Sequence, residues 1–342
     1  MTMNTDAIIE CVPNFSEGSD AEKVREIIGA MKIEGVQLLD WSMDGAHNRS
    51  VVTIAGSPDA VVEAAVRSVG KAAQLIDLTR QSGEHPRIGA ADVVPFVPVS
   101  GISLAECAML ARQAGLQIWR RYGVPVYFYG AAAARPDRVQ LEDVRRGQFE
   151  GLREASLRDA ARRPDVGGPE LHPVAGASAV GARSFLIAYN LYIQPSSEAQ
   201  NEVVVASIAA AESNGLQGLH HTAHKGNPSQ PDIAAARAIA RDLRASNGGL
   251  HGVKALGMIV NGRAQISMNI TDFRATPMRT VYQRVMELAQ RHGVTIGEGE
   301  LIGLIPEDAF EPDSDWVRQT SGLDPDMKVL ERKLQAPLLW PS

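Results

Sequence analysis

The succession of strand-like and helical segments predicts an α+β / α/β protein of two packed subdomains, each a mixed β-sheet with helices on one face. Three observations lead there. At 342 residues the chain exceeds the size at which a single hydrophobic core stops growing, so two cores are expected. A β-α-β-β-α order can be read in both halves, which suits sheets backed by helices better than one doubly wound parallel sheet. Hydrophobic residues at 44% and charged residues at 22% describe an ordinary globular chain.

The elements follow in order. Ser19-x-x-Glu22 reads as a capping box, and Val24, Ile27, Ile28 and Met31 continue at helical spacing. Gly35 ends that pattern before a strand at Val36–Leu39, and Ser50–Ala55 alternates as a second strand. Ser57 with Pro58 opens a helix whose apolar stripe runs from Val61 to Ile76. A strand at Val93–Val99 precedes a second capping box, Ser103-x-x-Glu106, and a helix to about Arg120 that carries Cys107 inward. Val124–Tyr129 is β-branched and aromatic, hence a strand. From Arg135 to Gly168 the chain is Arg-rich, with a short helix near Leu141–Arg146, and the Pro- and Gly-rich Pro164–Gly176 reads as an ordered loop. In the second half a strand spans Phe185–Ile193 and a helix Asp232–Ser246. The strands Val253–Val260 and Arg263–Ile270 flank Asn261-Gly262, a strong hairpin signal. Thr276 and Pro277 open the next helix, and a last one is expected over Asp324–Lys333. The expected division is 1–181, then 182–310 with an insert at about 196–230, then a C-terminal tail 311–342. The insert reads as a helix capped by Ser197 and ended at Asn214-Gly215, followed by a loop.

A net charge of −6 gives no global attraction to nucleic acid or to an anionic membrane, so neither is expected as a partner. No apolar run approaches membrane-spanning length, and Met1–Asp6 is polar where a signal peptide would be basic and then apolar. Cys11 and Cys107 sit in apolar patterns without metal-ligand spacing and read as buried thiols of a reducing compartment, the cytoplasm. His220, His221 and His224 lie close enough to ligate zinc or nickel, but no carboxylate or cysteine stands at short spacing, so an exposed polar loop without metal is expected.

The densest chemistry lies in Gly83-Glu84-His85-Pro86-Arg87-Ile88-Gly89-Ala90, which runs into Asp92 and an apolar strand. Pro86 pushes His85 toward an extended conformation, placing the imidazole at a strand entrance. A positioned imidazole can accept and then donate a proton at neutral pH, although a surface loop with an ion pair has the same composition. Two further segments are equally distinctive: Ile9-Glu10-Cys11-Val12-Pro13-Asn14-Phe15-Ser16-Glu17-Gly18, and Gly176 through Arg183 to Asn190.

In this order and spacing the three segments resemble the glutamate formiminotransferase family, the transferase half of the formiminotransferase-cyclodeaminases, over roughly residues 7–310. The resemblance implies transfer of a formimino group from N-formimino-L-glutamate to N5 of tetrahydrofolate, with tetrahydrofolate as co-substrate, no metal, and a homodimer. It implies His85 as the catalytic histidine, with Glu84 or Asp92 available to orient the ring. It also implies a folate seat at the loop joining the subdomains, here Gly167, Gly168, Pro169, Glu170, Leu171, His172, Pro173, Val174, Ala175 and Gly176. Because the chain ends where a cyclodeaminase would begin, no ammonia-releasing second site is expected.

Both substrates carry carboxylates, which arginine binds bidentately. The candidates beside the motifs are Arg49, Arg87 and Arg183, each of which could equally be structural. Asn14 and Glu17 could reach polar ligand atoms, or Asn14 could serve only its own turn. Three other functions stay open: a relative using formylglutamate or formiminoglycine, a non-catalytic folate-binding protein, and a metal-dependent hydrolase built on His220, His221 and His224.

Overall fold

The computed structural model describes residues 6–45, 47–81, 86–194, 230–336 and 340–341. Glu84, His85, the predicted helix opening at Ser197, and His220, His221 and His224 lie outside the described residues. The chain forms two compact units, Met1–Phe185 with Lys333–Ser342, and Leu186–Arg332.

The first unit is built on a seven-stranded mixed sheet. Its strands are β1 (Ile8–Cys11), β2 (Asn14–Phe15), β3 (Val36–Asp44), β4 (Arg49–Gly56), β5 (Ala91–Ser100), β6 (Val126–Gly130) and β7 (Ser178–Ala182). The path β1-β4-β2-β5-β7-β6, with β3 on the outer side of β4, is antiparallel except where β7 runs parallel to β5 and β6. β1 and β2 are one strand interrupted at Val12-Pro13, since both pair with β4 and with β5. Pro13 cannot donate to a ladder, so a central strand must break there. The break sets Asn14 opposite Val51 and Val93.

Alternation along the strands sends side chains to two different cores. Val126 and Phe128 of β6 join α1 (Ala21–Ala30), α2 (Pro58–Leu75) and α3 (Leu104–Tyr122) on one face. Tyr127 and Tyr129 point the other way, toward Val144 of α4 (Leu141–Val144) and Leu152 of α5 (Gln148–Arg158). The main helical layer therefore covers one face, and a small helical patch covers part of the other. Helix α5, which sequence pattern did not reveal, supplies that patch.

The Ser103–Glu106 capping box forms, with Ser103 Oγ accepting from the Glu106 amide at 3.2 Å and Glu106 Oε2 accepting from the Ser103 amide at 2.8 Å. At α1 the cap is Asp20 rather than Ser19. Glu17 Oε1 accepts from the Ser19 and Asp20 amides, both at 3.0 Å, which makes Ser19 part of the preceding turn. Ser57 caps α2 by position with Pro58 behind it, without a side-chain hydrogen bond.

The second unit is a four-stranded sheet, wholly antiparallel, in the order β11-β8-β10-β9. Its strands are β8 (Ile187–Ile193), β9 (Val253–Val260), β10 (Arg263–Ile270) and β11 (Ile296–Ile302), with helices α6 (Gln230–Leu243) and α7 (Met278–Arg291). The predicted hairpin is present: Asn261 and Gly262 have φ of 50° and 73°, the paired positive values that a two-residue turn matching strand twist requires. The single helix expected over 324–333 is instead two, Pro325–Lys328 and Leu330–Gln335. Val329 is fully buried and bridges Ile305, and that pairing extends the backbone between them. Trp316, also fully buried, meets Tyr189 and Phe310 edge to face, so the segment after 310 contributes to this unit's core.

Where α2 meets α3, a Cβ on Gly70 would lie 2.3 Å from the Tyr122 ring. Alanine gains about 1 kcal/mol of helix propensity there, but overpacking costs about 1–3 kcal/mol. Gly70→Ala is expected to lose about 1 kcal/mol net, read as a lower urea midpoint with an unchanged slope.

Candidate active site

The face of the first sheet that bears the small helical patch also carries its buried charges. Arg49, at the start of β4, donates to Asn14 Oδ1 through Nε at 2.9 Å and through Nη2 at 2.5 Å. Asn14 Nδ2 donates to the Val12 carbonyl at 2.7 Å, so the side chain both closes its own turn and holds Arg49. Asp92, at the start of β5, is 3% exposed at its side chain and accepts from the Ile88 amide at 2.8 Å through Oδ1. Its Oδ2 accepts from Arg145 Nη2 and lies 3.8 Å from Arg49 Nη1. Both oxygens of Asp92 are thus engaged by the backbone and by arginines. Arg183 hydrogen-bonds Tyr129, at the end of β6, and the charges of Arg145 and Arg49 act on it.

Arg49 and Arg145 thus share Asp92, and the charges of Arg49, Arg145 and Arg183 all act on the Tyr129 phenol. Burial, and then the like charge of Arg145, push the pKa of Arg49 down to about 9 against the opposing pull of Asp92. Arg49 still carries its charge at neutral pH. Burial drives the Tyr129 phenol up to about 12, with Arg183 and Arg145 acting the other way, so it stays protonated and can donate. A site with this excess of positive charge suits a carboxylate ligand.

A second network anchors the two flanks of the 82–85 stretch. On the upstream side, Gln81 Nε2 donates to Glu17 Oε2 at 3.1 Å, and Asn48 Nδ2 donates to Gln81 Oε1. Asn48 Oδ1 in turn accepts from the Gly18 amide at 2.9 Å. On the downstream side, Arg87 donates to the Gln81 carbonyl at 2.7 Å and pairs with Glu150 at 3.2 Å. Arg87 therefore ties the two flanks together, whereas Asn14 holds Arg49, and Arg49 and Arg183 act on Tyr129.

The 167–176 segment is stitched to the same flanks. Leu78 donates to the Val174 carbonyl, Ala90 to the Ala175 carbonyl and Ala177 to the Ile88 carbonyl, each at 2.9 Å. The approach is close enough that a Cβ on Gly176, whose φ is 68°, would sit 2.2 Å from the Ile88 carbonyl oxygen. Only glycine tolerates both demands. Within the loop, His172 and Gly176 exchange backbone hydrogen bonds at 3.0 Å, and His172 Nδ1 accepts from the Ala175 amide at 3.0 Å. Burial lowers the His172 pKa, in keeping with a neutral ring. Leu171 is buried, while Gly168, Pro169 and Glu170 are exposed at the tip.

Cys11 and Cys107 are free, buried thiols, with burial raising the pKa of both and that of Cys107 to about 12. Among the described residues no helix is long and apolar enough to cross a membrane.

Sequence reasoning missed Arg145 and Tyr129. Arg145 sits in a stretch whose charge density reads as solvated surface, and Tyr129 in one whose aromatic pattern reads as core.

The profile of the family described as "Formiminotransferase domain, N-terminal subdomain" matches residues 8–183, and that described as "Formiminotransferase domain" matches residues 223–324. The chain belongs to the formiminotransferase family. It is 37% identical to a glutamate formimidoyltransferase of Thermoplasma acidophilum, over 96% of this chain and 98% of that one. Identity to a glutamate formimidoyltransferase of Streptococcus pyogenes serotype M1 is 36%, with the same coverage. A formimidoyltransferase-cyclodeaminase of Rattus norvegicus is 35% identical over 87% of this chain, which spans 50% of that longer protein. The profile matched to the N-terminal subdomain takes in the whole arginine cluster and both anchored flanks.

Burial raises the Glu17 carboxyl, but the Ser19 and Asp20 amides and Lys23 outweigh it and hold its pKa below the ordinary value. A depressed carboxylate stabilises fully above its unfolded value, about 4.3, and that stabilisation fades as pH falls through the lowered folded value. The thermal midpoint of the wild type is expected to exceed that of Glu17→Gln at about pH 6, with the gap closing toward about pH 3. Melting curves of both proteins across that range check it.

Proposed function

We infer that the chain transfers the formimino group of N-formimino-L-glutamate to N5 of tetrahydrofolate, releasing L-glutamate. The observation that carries this is the near full-length relationship to two glutamate formimidoyltransferases. The half-buried arginine cluster supports it, because the donor carries two carboxylates.

The step needs little beyond positioning and proton traffic. N5 attacks the amidine carbon, a tetrahedral centre forms, and the bond from that carbon to the glutamate nitrogen breaks. The proton leaving N5 must reach the departing nitrogen, so one group that first accepts and then donates balances the reaction. His85 is assigned to that shuttle from its place in the motif. Arg49, steadied by Asn14, and Arg183 are assigned to the donor's carboxylates. Arg87 is assigned to holding the flanks of the shuttle segment, consistent with its bond to Gln81. Folate is assigned to 167–176, whose exposed tip at Gly168–Glu170 offers backbone groups and a carboxylate. Tetrahydrofolate is consumed as a co-substrate. A homodimer is expected from the family resemblance, and a cytoplasmic setting is assigned from the two free thiols, which suit a reducing compartment.

The test is turnover of tetrahydrofolate with formiminoglutamate, formylglutamate and formiminoglycine as parallel donors, run on wild type and His85→Ala. Formiminoglutamate is expected to be preferred, with the rate falling about 10²–10⁴-fold in the variant. Activity confined to another donor would replace the substrate, and folate binding without turnover of any donor would overturn the enzyme.

A further inference from the structure

Arg145 belongs to none of the motifs that pointed to the donor site, yet it stands within it. It follows α4 directly and has a side chain 12% exposed, with Nη2 donating to Asp92. Its Nε is buried and, among the described residues, has no hydrogen-bond partner. A buried donor left unpaired is costly, so a guanidinium anchored at one corner with a spare donor is poised for an acceptor.

The charges around it point the same way. Arg145 and Arg183 both act on Tyr129, and Arg145 acts on Arg49. Against these three cations stands Asp92, and beyond it Glu10, which is 2% exposed on β1 and acts on the neighbouring Cys11, as Arg183 does. Among the described residues, even with both carboxylates counted, positive charge is in excess. Burying like charges together is unfavourable unless an anion joins them. Burial, and then the like charge of Arg145, lower the pKa of Arg49 against the pull of Asp92.

We propose that Arg145 is a specificity-determining residue of the donor site, which together with Arg49 and Arg183 takes a carboxylate of an N-substituted amino acid bearing two carboxylates, while Asp92 fixes its guanidinium. This rests on the transferase reading and deepens it. Asp92 is then a positioning residue for arginine. A donor with a second carboxylate gains from the excess charge, whereas one with a single carboxylate leaves part of it unanswered.

Steady-state kinetics of wild type, Arg145→Gln and Arg145→Lys with formiminoglutamate and formiminoglycine, at varied tetrahydrofolate, test this beside calorimetric titration of glutarate, an inert dicarboxylate. Arg145→Gln is expected to raise the formiminoglutamate KM by about 10- to 100-fold, the loss of a charge-assisted hydrogen bond. The KM for tetrahydrofolate should hold, the preference for formiminoglutamate over formiminoglycine should shrink by a similar factor, and Arg145→Lys should recover part of the loss. Glutarate should bind wild type and bind Arg145→Gln more weakly. An unchanged donor KM, or a tetrahydrofolate KM that rises as much as the donor's, overturns the proposal. Should Arg145→Gln fail to fold, Arg145→Lys with wild-type affinity for formiminoglutamate, beside a wild type that ignores glutarate, overturns it equally. A wild type that binds glutarate through Arg145 but turns over no donor would sink the transferase reading and leave the carboxylate site standing.

Discussion

The carboxylate of Asp92 ties together more of the first unit than any other side chain at the site. Its two oxygens reach the Ile88 amide, Arg145 and Arg49, which lie on the segment leading into β5, on the chain after α4, and on β4. A carboxylate removed from water costs several kcal/mol unless it is well paired. The segments that pair it therefore cannot move independently. Through Arg145 it also holds the chain between α4 and α5. Through Arg49 it reaches Asn14, and so the interrupted central strand.

That interruption matters for the same reason. Without the break at Pro13, β1 and β2 would continue a regular ladder between β4 and β5, and the Asn14 side chain would have no turn to close. The break costs ladder hydrogen bonds, which are partly recovered as the Val12 amide donates to the Pro95 carbonyl and the Val52 amide to the Pro13 carbonyl. What results is an amide side chain with its carbonyl oxygen turned toward a guanidinium. In the proposed role, fixing Arg49 in this way limits the entropy lost on binding a carboxylate.

The loop assigned to folate and the flanks of the His85 segment form one hydrogen-bonded assembly. Gly89 and Gly176 bridge each other, and a Cβ on either would collide with a carbonyl oxygen across the gap. Leu78, Ile88 and Ala90 complete the stitching. A proton shuttle and a pterin seat must keep a fixed mutual geometry to within a fraction of an ångström. Paired backbone hydrogen bonds between the two segments meet that requirement better than side-chain contacts would.

Much of the local structure was legible in sequence because it depends on neighbours in the chain. The Ser103–Glu106 cap, the Asn261-Gly262 turn and the strands flanking it rest on spacing and on backbone preferences of single residues. The cap of α1 was misplaced by one residue because Glu17, buried and hydrogen-bonded, claimed the Ser19 amide, a contact no local pattern announces. The helix expected over 324–333 broke at Val329 for a similar reason, its pairing with distant Ile305. At the site, the motifs named Asn14, Arg49, Arg87 and Arg183 as candidates for carboxylates, with a structural reading open beside each. Only the tertiary structure turned Arg87 to the Gln81 carbonyl, engaged both oxygens of Asp92, and brought Arg145 to Tyr129. Excess charge at a buried point is a sum over segments far apart in the chain, and folding alone makes that sum.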